Sequence, residues 1–206
     1  MLKIWGRKNS NNVRKALWCA QEVGVPYEAI DAGGAFGVVN EPAYLAMNPN
    51  GLVPVIEDDG LVLWESNAIV RYLAAQYADG ELYAKDPKQR AQADKWMDWT
   101  TSTLATPFRD LFLGTLRTPP EQRNHAVIAA ALTRCGELLE AADQALATQP
   151  YLSGASFGMG DIPLGCFIYA WFEMPIERPP LPHLQAWYTR LQERPAYRTS
   201  VMTALT

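Results

Sequence analysis

Asn48-Pro49-Asn50-Gly51-Leu52-Val53-Pro54-Val55-Ile56 and, further on, Trp64-Glu65-Ser66-Asn67-Ala68-Ile69 decide the reading of this chain. The first stretch is a turn leading into a short apolar strand, with a proline where a strand should pair. Proline has no N–H to give to a ladder, so it belongs at a strand start or edge, and a cis bond there is a deliberate feature. Such a strand leaves the backbone of Val53 open to pair with an extended peptide. The second stretch starts a helix at Glu65 and Ser66, the end where backbone N–H groups point outward and anions are favoured. Together they form a receptor for a small peptide with a free carboxylate.

On either side of these stretches, residues 1–78 alternate between strand and helix periods. Leu2 to Trp5 reads as a strand, followed by a polar loop, Gly6-Arg7-Lys8-Asn9-Ser10-Asn11-Asn12, suited to capping a helix. Val13, Ala16, Leu17 and Ala20 follow at helical spacing until Gly24. Pro26 to Ile30 reads as a second strand, Gly33 to Gly37 as a loop and Glu41 to Met47 as a short helix. Asp59-Gly60 between two apolar runs signals a hairpin, because a primed turn needs positive φ. Glu65 to Tyr77 closes the unit as a helix, giving the order β-α-β-α-β-β-α.

The rest reads as helix throughout. Ile128, Leu132, Cys135, Leu139, Ala142 and Leu146 form one apolar stripe, and Leu184, Trp187, Tyr188 and Leu191 another, with Pro182 in its first turn. Ile162 to Phe172 carries no charge and is expected at the centre of this part. With 18 basic and 22 acidic residues the net charge is -4, which supplies no field for nucleic acid or an anionic membrane. The start of the chain lacks the apolar run of a leader, and no stretch reaches membrane-spanning length. Three widely spaced cysteines, Cys19, Cys135 and Cys166, do not make a disulfide framework, so a reducing cytoplasm is the expected compartment.

The Asn-Pro and Val-Pro elements, followed by a strand and then Glu65-Ser66, resemble the glutathione-binding domain of the glutathione transferases, and the helical remainder extends the resemblance to the whole chain. It implies an α/β plus all-α fold: a thioredoxin-like domain over residues 1–78, a linker over 79–87 and a helical bundle over 88–206. It also implies glutathione as co-substrate. Pro54 would be cis, the Val53 backbone would pair with the cysteinyl unit, Glu65 would hold the γ-glutamyl ammonium, and Ser66 with its N–H would hold the α-carboxylate. Relatives place Lys, Gln or His near position 51 or 52 against the glycyl carboxylate. This chain has Gly51 and Leu52, so that contact is expected from Asn40 or Lys8, or is absent.

A transferase must keep a bound thiol ionised, since the thiolate is the nucleophile. Two donors compete for that role. Ser10 matches the position of the serine-using classes, although serine also caps helices. Asn12 matches the asparagine of relatives that favour disulfide reduction, although Asn11 replaces their usual proline and both asparagines also suit turns. In the helical part, Trp96, Phe108, Arg109 and Phe112 are expected to line the co-substrate cleft, with a solvated arginine and core aromatics as the plainer alternative. Cys19 reads as a small buried hydrophobe, His125 and His183 as surface residues, and no metal site is expected. Phe157-Gly158-Met159-Gly160-Asp161 resembles the family's folding cap, and glycine in place of its Ser or Thr leaves Asp161 with less to pair against. The reading is therefore a cytoplasmic, homodimeric glutathione transferase acting on an electrophile in detoxification. The alternatives are a glutathione-dependent disulfide reductase and a binding or regulatory protein without catalysis.

Overall fold

A computed structural model describes residues 1–205. β1 (Leu2–Trp5) alternates buried and half-buried side chains, the period of a strand with one face on a core. α1 (Asn11–Glu22) crosses over to β2 (Tyr27–Ile30), which pairs parallel to β1. α2 (Pro42–Met47) opens on a proline, whose missing N–H costs nothing in a first turn. β3 (Val55–Asp58) runs antiparallel to β1, and β4 (Leu61–Trp64) returns beside it. The turn between them has Asp59 at φ 46° and Gly60 at φ 86°, the two positive values a primed hairpin needs. The sheet order is β2-β1-β3-β4, and α3 (Ser66–Tyr77) follows directly. α1 packs on α3, burying Val13, Leu17, Ile69, Val70 and Leu73 with Leu2, Ile4 and Ile56.

The second part is helical. α4 (Pro87–Trp99) is capped by the Asp86 carboxylate, which accepts from the Lys88 N–H at 3.2 Å. It continues through a wide π-type turn (Thr100–Leu104) into α5 (Ala105–Phe112) and a second such turn (Leu113–Arg117). The helical rod is thus wider at two places. Pro107 accounts for the first: it has no N–H for the Thr103 carbonyl, and its ring would crowd that carbonyl in a regular turn. α6 (His125–Leu146) is capped by Asn124, and α8 (Pro182–Gln192) and α9 (Pro195–Ser200) end the described fold.

α7 (Asp161–Glu173) is the centre, buried from Asp161 to Ile168 and again at Ala170 and Trp171. It also joins the two parts. A Cβ on Gly165 would come within 2.6 Å of the Trp18 ring, so glycine lets α1 approach α7 closely. The Tyr197 hydroxyl donates to the Gly165 carbonyl at 2.9 Å, and Arg194 grips Glu22 through two bonds of 2.8 and 2.7 Å. One apolar cluster therefore runs from the sheet through α1 into the bundle.

The start of α7 corrects one expectation. Asp161 is not short of partners: its carboxylate accepts from the N–H groups of Leu152, Gly158 and Ser153 and from the Trp187 indole, the shortest at 2.7 Å. Ser153 supplies the missing hydroxyl, accepting from the Gly160 N–H at 3.1 Å. A Cβ at Gly158 would meet Ser153 at 2.9 Å, so the glycine makes room for the serine that replaces it chemically. Among the described residues no helix is long and apolar enough to cross a membrane, and no three His, Cys, Asp or Glu side chains gather as metal ligands.

Candidate functional site

The Val53–Pro54 bond is cis, as the resemblance implied. Two donors pin the residue before it: the Tyr44 hydroxyl and the Asn48 amide both give to the Leu52 carbonyl at 2.8 Å. Among the described residues the N–H and C=O of Val53 enter no hydrogen bond, so a short stretch of backbone just ahead of β3 stands open. Gly6 lets the loop after β1 lie against it, since a Cβ there would sit 2.4 Å from Val13 and 3.3 Å from Val53. Asn40 is exposed and close to Gly51, on the same side of the loop.

Glu65 turns β4 directly into α3 with φ 72°, a left-handed conformation that non-glycine residues rarely hold outside ligand clamps and turns. Its side chain is exposed, while Ser66 is buried at the first position of α3. The first N–H groups of that helix have no partner within it and make an anion seat.

Ser10 stands at the N-cap position of α1 in an extended conformation, yet its hydroxyl makes no bond to the helix. Its own N–H gives to the Arg7 carbonyl at 3.1 Å, and its hydroxyl has no partner among the described residues. Asn11 accepts from Arg14 at 3.2 Å and so serves that side chain. Asn12 is placed differently. Its Oδ1 accepts from Lys15 Nζ at 3.0 Å and from Ser66 Oγ at 3.2 Å, which leaves its Nδ2 group as the open donor. The Ser66 hydroxyl is thereby engaged with the loop, and of the two groups expected to meet a carboxylate its N–H is the unengaged one.

Two buried cations next to this loop escaped the sequence reading. Lys15 is 1 % exposed and gives to Asn12, to Ser66 Oγ at 3.3 Å and to Asn67 Oδ1 at 3.4 Å. Burial lowers its pKa from 10.5 to about 8, against the opposing influence of Cys166 and Glu65. Arg14, also 1 % exposed, gives to the Thr203 hydroxyl at 2.7 Å and the Ala204 carbonyl at 3.2 Å, tying the chain's last residues to α1. The available signal was two consecutive cations at apolar-face spacing of an otherwise apolar helix. Arg7 is only half-buried, but burial and the charge of Arg117 lower its pKa, and its Nη1 is buried without a partner.

The expected cleft residues separate. Trp96 is buried and lines a cavity between α4 and the 145–158 region, packed edge-on to Trp99. Phe108 is 1 % exposed and packs edge-on to Phe167, so it is core. Helical spacing could not tell which face of this rod meets the bundle, and burial answers for both. Arg109 is exposed and has no ion pair or hydrogen bond among the described residues. Phe112 is half-buried beneath Arg117, at 5.4 Å from ring to guanidinium. It is thus Arg117, two turns beyond Arg109, whose charge bears on the loop after β1. All three cysteines are buried thiols, each pushed upward in pKa chiefly by burial.

Comparison with known proteins meets this arrangement directly. The family model described as "Glutathione S-transferase, N-terminal domain" matches residues 1–75, and "Glutathione S-transferase, C-terminal domain" matches residues 93–195. The chain belongs to the glutathione S-transferase family. The transferase is 49% identical over 204 residues to glutathione S-transferase GstB of Escherichia coli K12, covering 98% of each chain. It is 70% identical to the theta class glutathione S-transferase of Xanthomonas axonopodis pv. citri with glutathione bound, at a TM-score of 0.97 over 100% of this chain and 99% of that one. The apo form of that Xanthomonas protein superposes with a TM-score of 0.89. Glutathione S-transferase 4 of Zea mays is 30% identical over 201 residues, 95% of this chain and 89% of the relative.

Proposed function

We propose that the protein is a glutathione transferase in which glutathione lies with its cysteinyl unit paired to Val53 and its γ-glutamyl end at Glu65 and the start of α3. The observation that carries this reading is the backbone of Val53, unpaired among the described residues and held beside a cis proline. The Ser10 hydroxyl and the Asn12 Nδ2 have no partner among the described residues, and either can give a hydrogen bond to a thiolate. Such a bond favours the anion and lowers the thiol pKa. The thiolate then attacks the electrophilic atom of the co-substrate, forming the carbon–sulfur bond as the leaving group departs with the bonding electrons.

Support for the glycyl end comes from Arg7, whose buried, unpartnered Nη1 seeks an anion more strongly than Asn40 or Lys8. A disulfide-reducing activity is the second reading, favoured by the Asn12 amide being oriented by two donors. We place the transferase in the cytoplasm, where its three free thiols stay reduced and glutathione abounds, with detoxification as its role. We also propose a twofold dimer. β4 is an edge strand with Leu61, Val62 and Trp64 exposed, and a bare apolar edge of this kind is normally covered.

Titration calorimetry with glutathione, wild type against Val53→Pro, tests the site. Proline removes the N–H that the peptide would use, so binding should fall by tenfold or more, about 1.4 kcal/mol. Unaltered binding would remove Val53 from the site, and no binding by the wild type would overturn the transferase reading itself.

A further inference from the structure

Lys15 is a charge in the interior without a carboxylate bonded to it. All three of its protons are used on uncharged oxygens: Asn12 Oδ1 at 3.0 Å, Ser66 Oγ at 3.3 Å and Asn67 Oδ1 at 3.4 Å. Taking an ammonium out of water is costly unless something returns the cost, and natural cores rarely keep one for packing alone. The three acceptors are not arbitrary. Asn12 lies in the first turn of α1, at the candidate sulfur position, Ser66 and Asn67 open the helix placed at the γ-glutamyl end, and Asn67 in turn gives to the Met97 carbonyl at 2.8 Å and to Thr101 at 3.0 Å. One ammonium thus joins the first turn of α1 to α3, and Asn67 carries the link on to α4.

We propose that Lys15 is the positioning residue of the thiolate site: it turns the Asn12 amide so that Nδ2 faces the sulfur, and its charge, carried through that amide, lowers the pKa of the bound glutathione thiol. The inference rests on glutathione occupying the site as proposed above. An amide whose oxygen accepts from a cation is polarised and becomes a stronger donor at nitrogen. The same oxygen also accepts from Ser66 Oγ, so the amide cannot turn over without orphaning two donors. The proton lost by the thiol passes to solvent, and no group of the chain need receive it.

The surroundings keep Lys15 charged at neutral pH. Burial lowers its pKa to about 8; the Cys166 sulfur of α7 would oppose this only as a thiolate, and the Glu65 carboxylate at the head of α3 opposes it as it stands. Cys166 itself is pushed up to about 12 and stays a neutral thiol. Arg14, next on α1, is committed to Asn11 and the 203–204 carbonyl groups, and the Phe167 ring of α7 lies 5.6 Å from Nζ. Around Lys15, then, one carboxylate and an aromatic face favour the cation.

The experiment compares wild type with Lys15→Met, and with Lys15→Gln as the variant that keeps a hydrogen-bonding head without charge. Ultraviolet difference titration reads the pKa of bound glutathione, and calorimetry with S-methylglutathione, which has no thiol to ionise, reads the integrity of the peptide site. The expected result is a rise of about one unit in thiol pKa in both variants, with binding of the thioether altered less than threefold. kcat/KM should then fall about tenfold below the thiol pKa, and the defect should fade as pH rises and solvent ionises the thiol unaided. A thiol pKa unchanged in both variants would overturn the proposal. So would a loss of S-methylglutathione binding as large as that of glutathione, which would make Lys15 a strut of the peptide site. If the wild type does not bind S-methylglutathione, the glutathione reading of the site falls, and this inference with it.

Discussion

Ser10 and Asn12 are two candidate donors for one sulfur, and the geometry separates what each can lose. The Ser10 hydroxyl has no bond to the helix it precedes, so Ser10→Ala should leave α1 stable while raising the pKa of bound glutathione by about one to two units, about 1.4–2.8 kcal/mol of anion stabilisation. Asn12→Ala, which removes the amide that Lys15 orients, should raise that pKa by about one unit, the effect expected of Lys15→Met, and should lower disulfide reduction more than Ser10→Ala does. Titration of the thiolate in both variants checks this, and a shift seen only in Asn12→Ala would assign the sulfur to the amide. Ser66→Ala removes a bond from Lys15 and a donor to Asn12, so glutathione affinity should drop by about 1.5–3 kcal/mol by calorimetry. Lys15 also predicts a pH effect on stability. Its folded pKa, about 8, lies below the ordinary 10.5, so between those values the unfolded chain binds more protons and stability rises with pH. Chemical denaturation of wild type and Lys15→Met across that window should show a rise in the wild type that the variant lacks. Equal pH slopes would mean that Lys15 is not penalised by burial.

Most elements were legible because their causes are local. The Asp59-Gly60 hairpin, the apolar stripes of α6 and α8 and the uncharged run within α7 follow from turn chemistry and side-chain period, and α7 extends one residue beyond that run at each end. α4 and α5 were less legible. Aromatic spacing showed a helix but not its face, and Trp96 and Phe108 proved to be packed inside. The cap of α7 was misjudged because Ser153 and Trp187, far from the motif in sequence, complete it. Asp161→Ala would strand the buried N–H groups of Leu152 and Gly158 and the Trp187 indole. Each orphaned donor costs about 1–3 kcal/mol, so a loss of about 3 kcal/mol or more is expected in urea unfolding. A loss under about 1 kcal/mol would mean that the cap carries little of the fold's stability.

The two parts act as one body because α1 belongs to both cores. Gly165→Ala would drive a methyl into the Trp18 ring, which is wholly buried and has little room to turn. Overpacking of this kind costs about 1–3 kcal/mol, and the two halves should still unfold together in a single transition. Separate transitions would show that the shared core is weaker than its burial suggests. For the assembly, Val62→Asp on the exposed face of β4 should shift the protein from dimer to monomer in sedimentation at micromolar concentration. A wild type already monomeric there would count against the dimer.

The sequence alone determined the order of strands and helices, the open strand before Pro54 and the helix start at Glu65-Ser66, because each is written within a few consecutive residues. Only the tertiary structure decided that Lys15 meets Ser66 across 51 residues, that Ser66 meets Asn12 across 54, and that Arg14 holds Thr203 across 189. Hydrophobic period says that a position is buried, whatever its side chain. Which polar groups a buried charge then finds depends on how distant helices pack, and at this site that packing gathers a cation, an amide and a hydroxyl beside the candidate sulfur position.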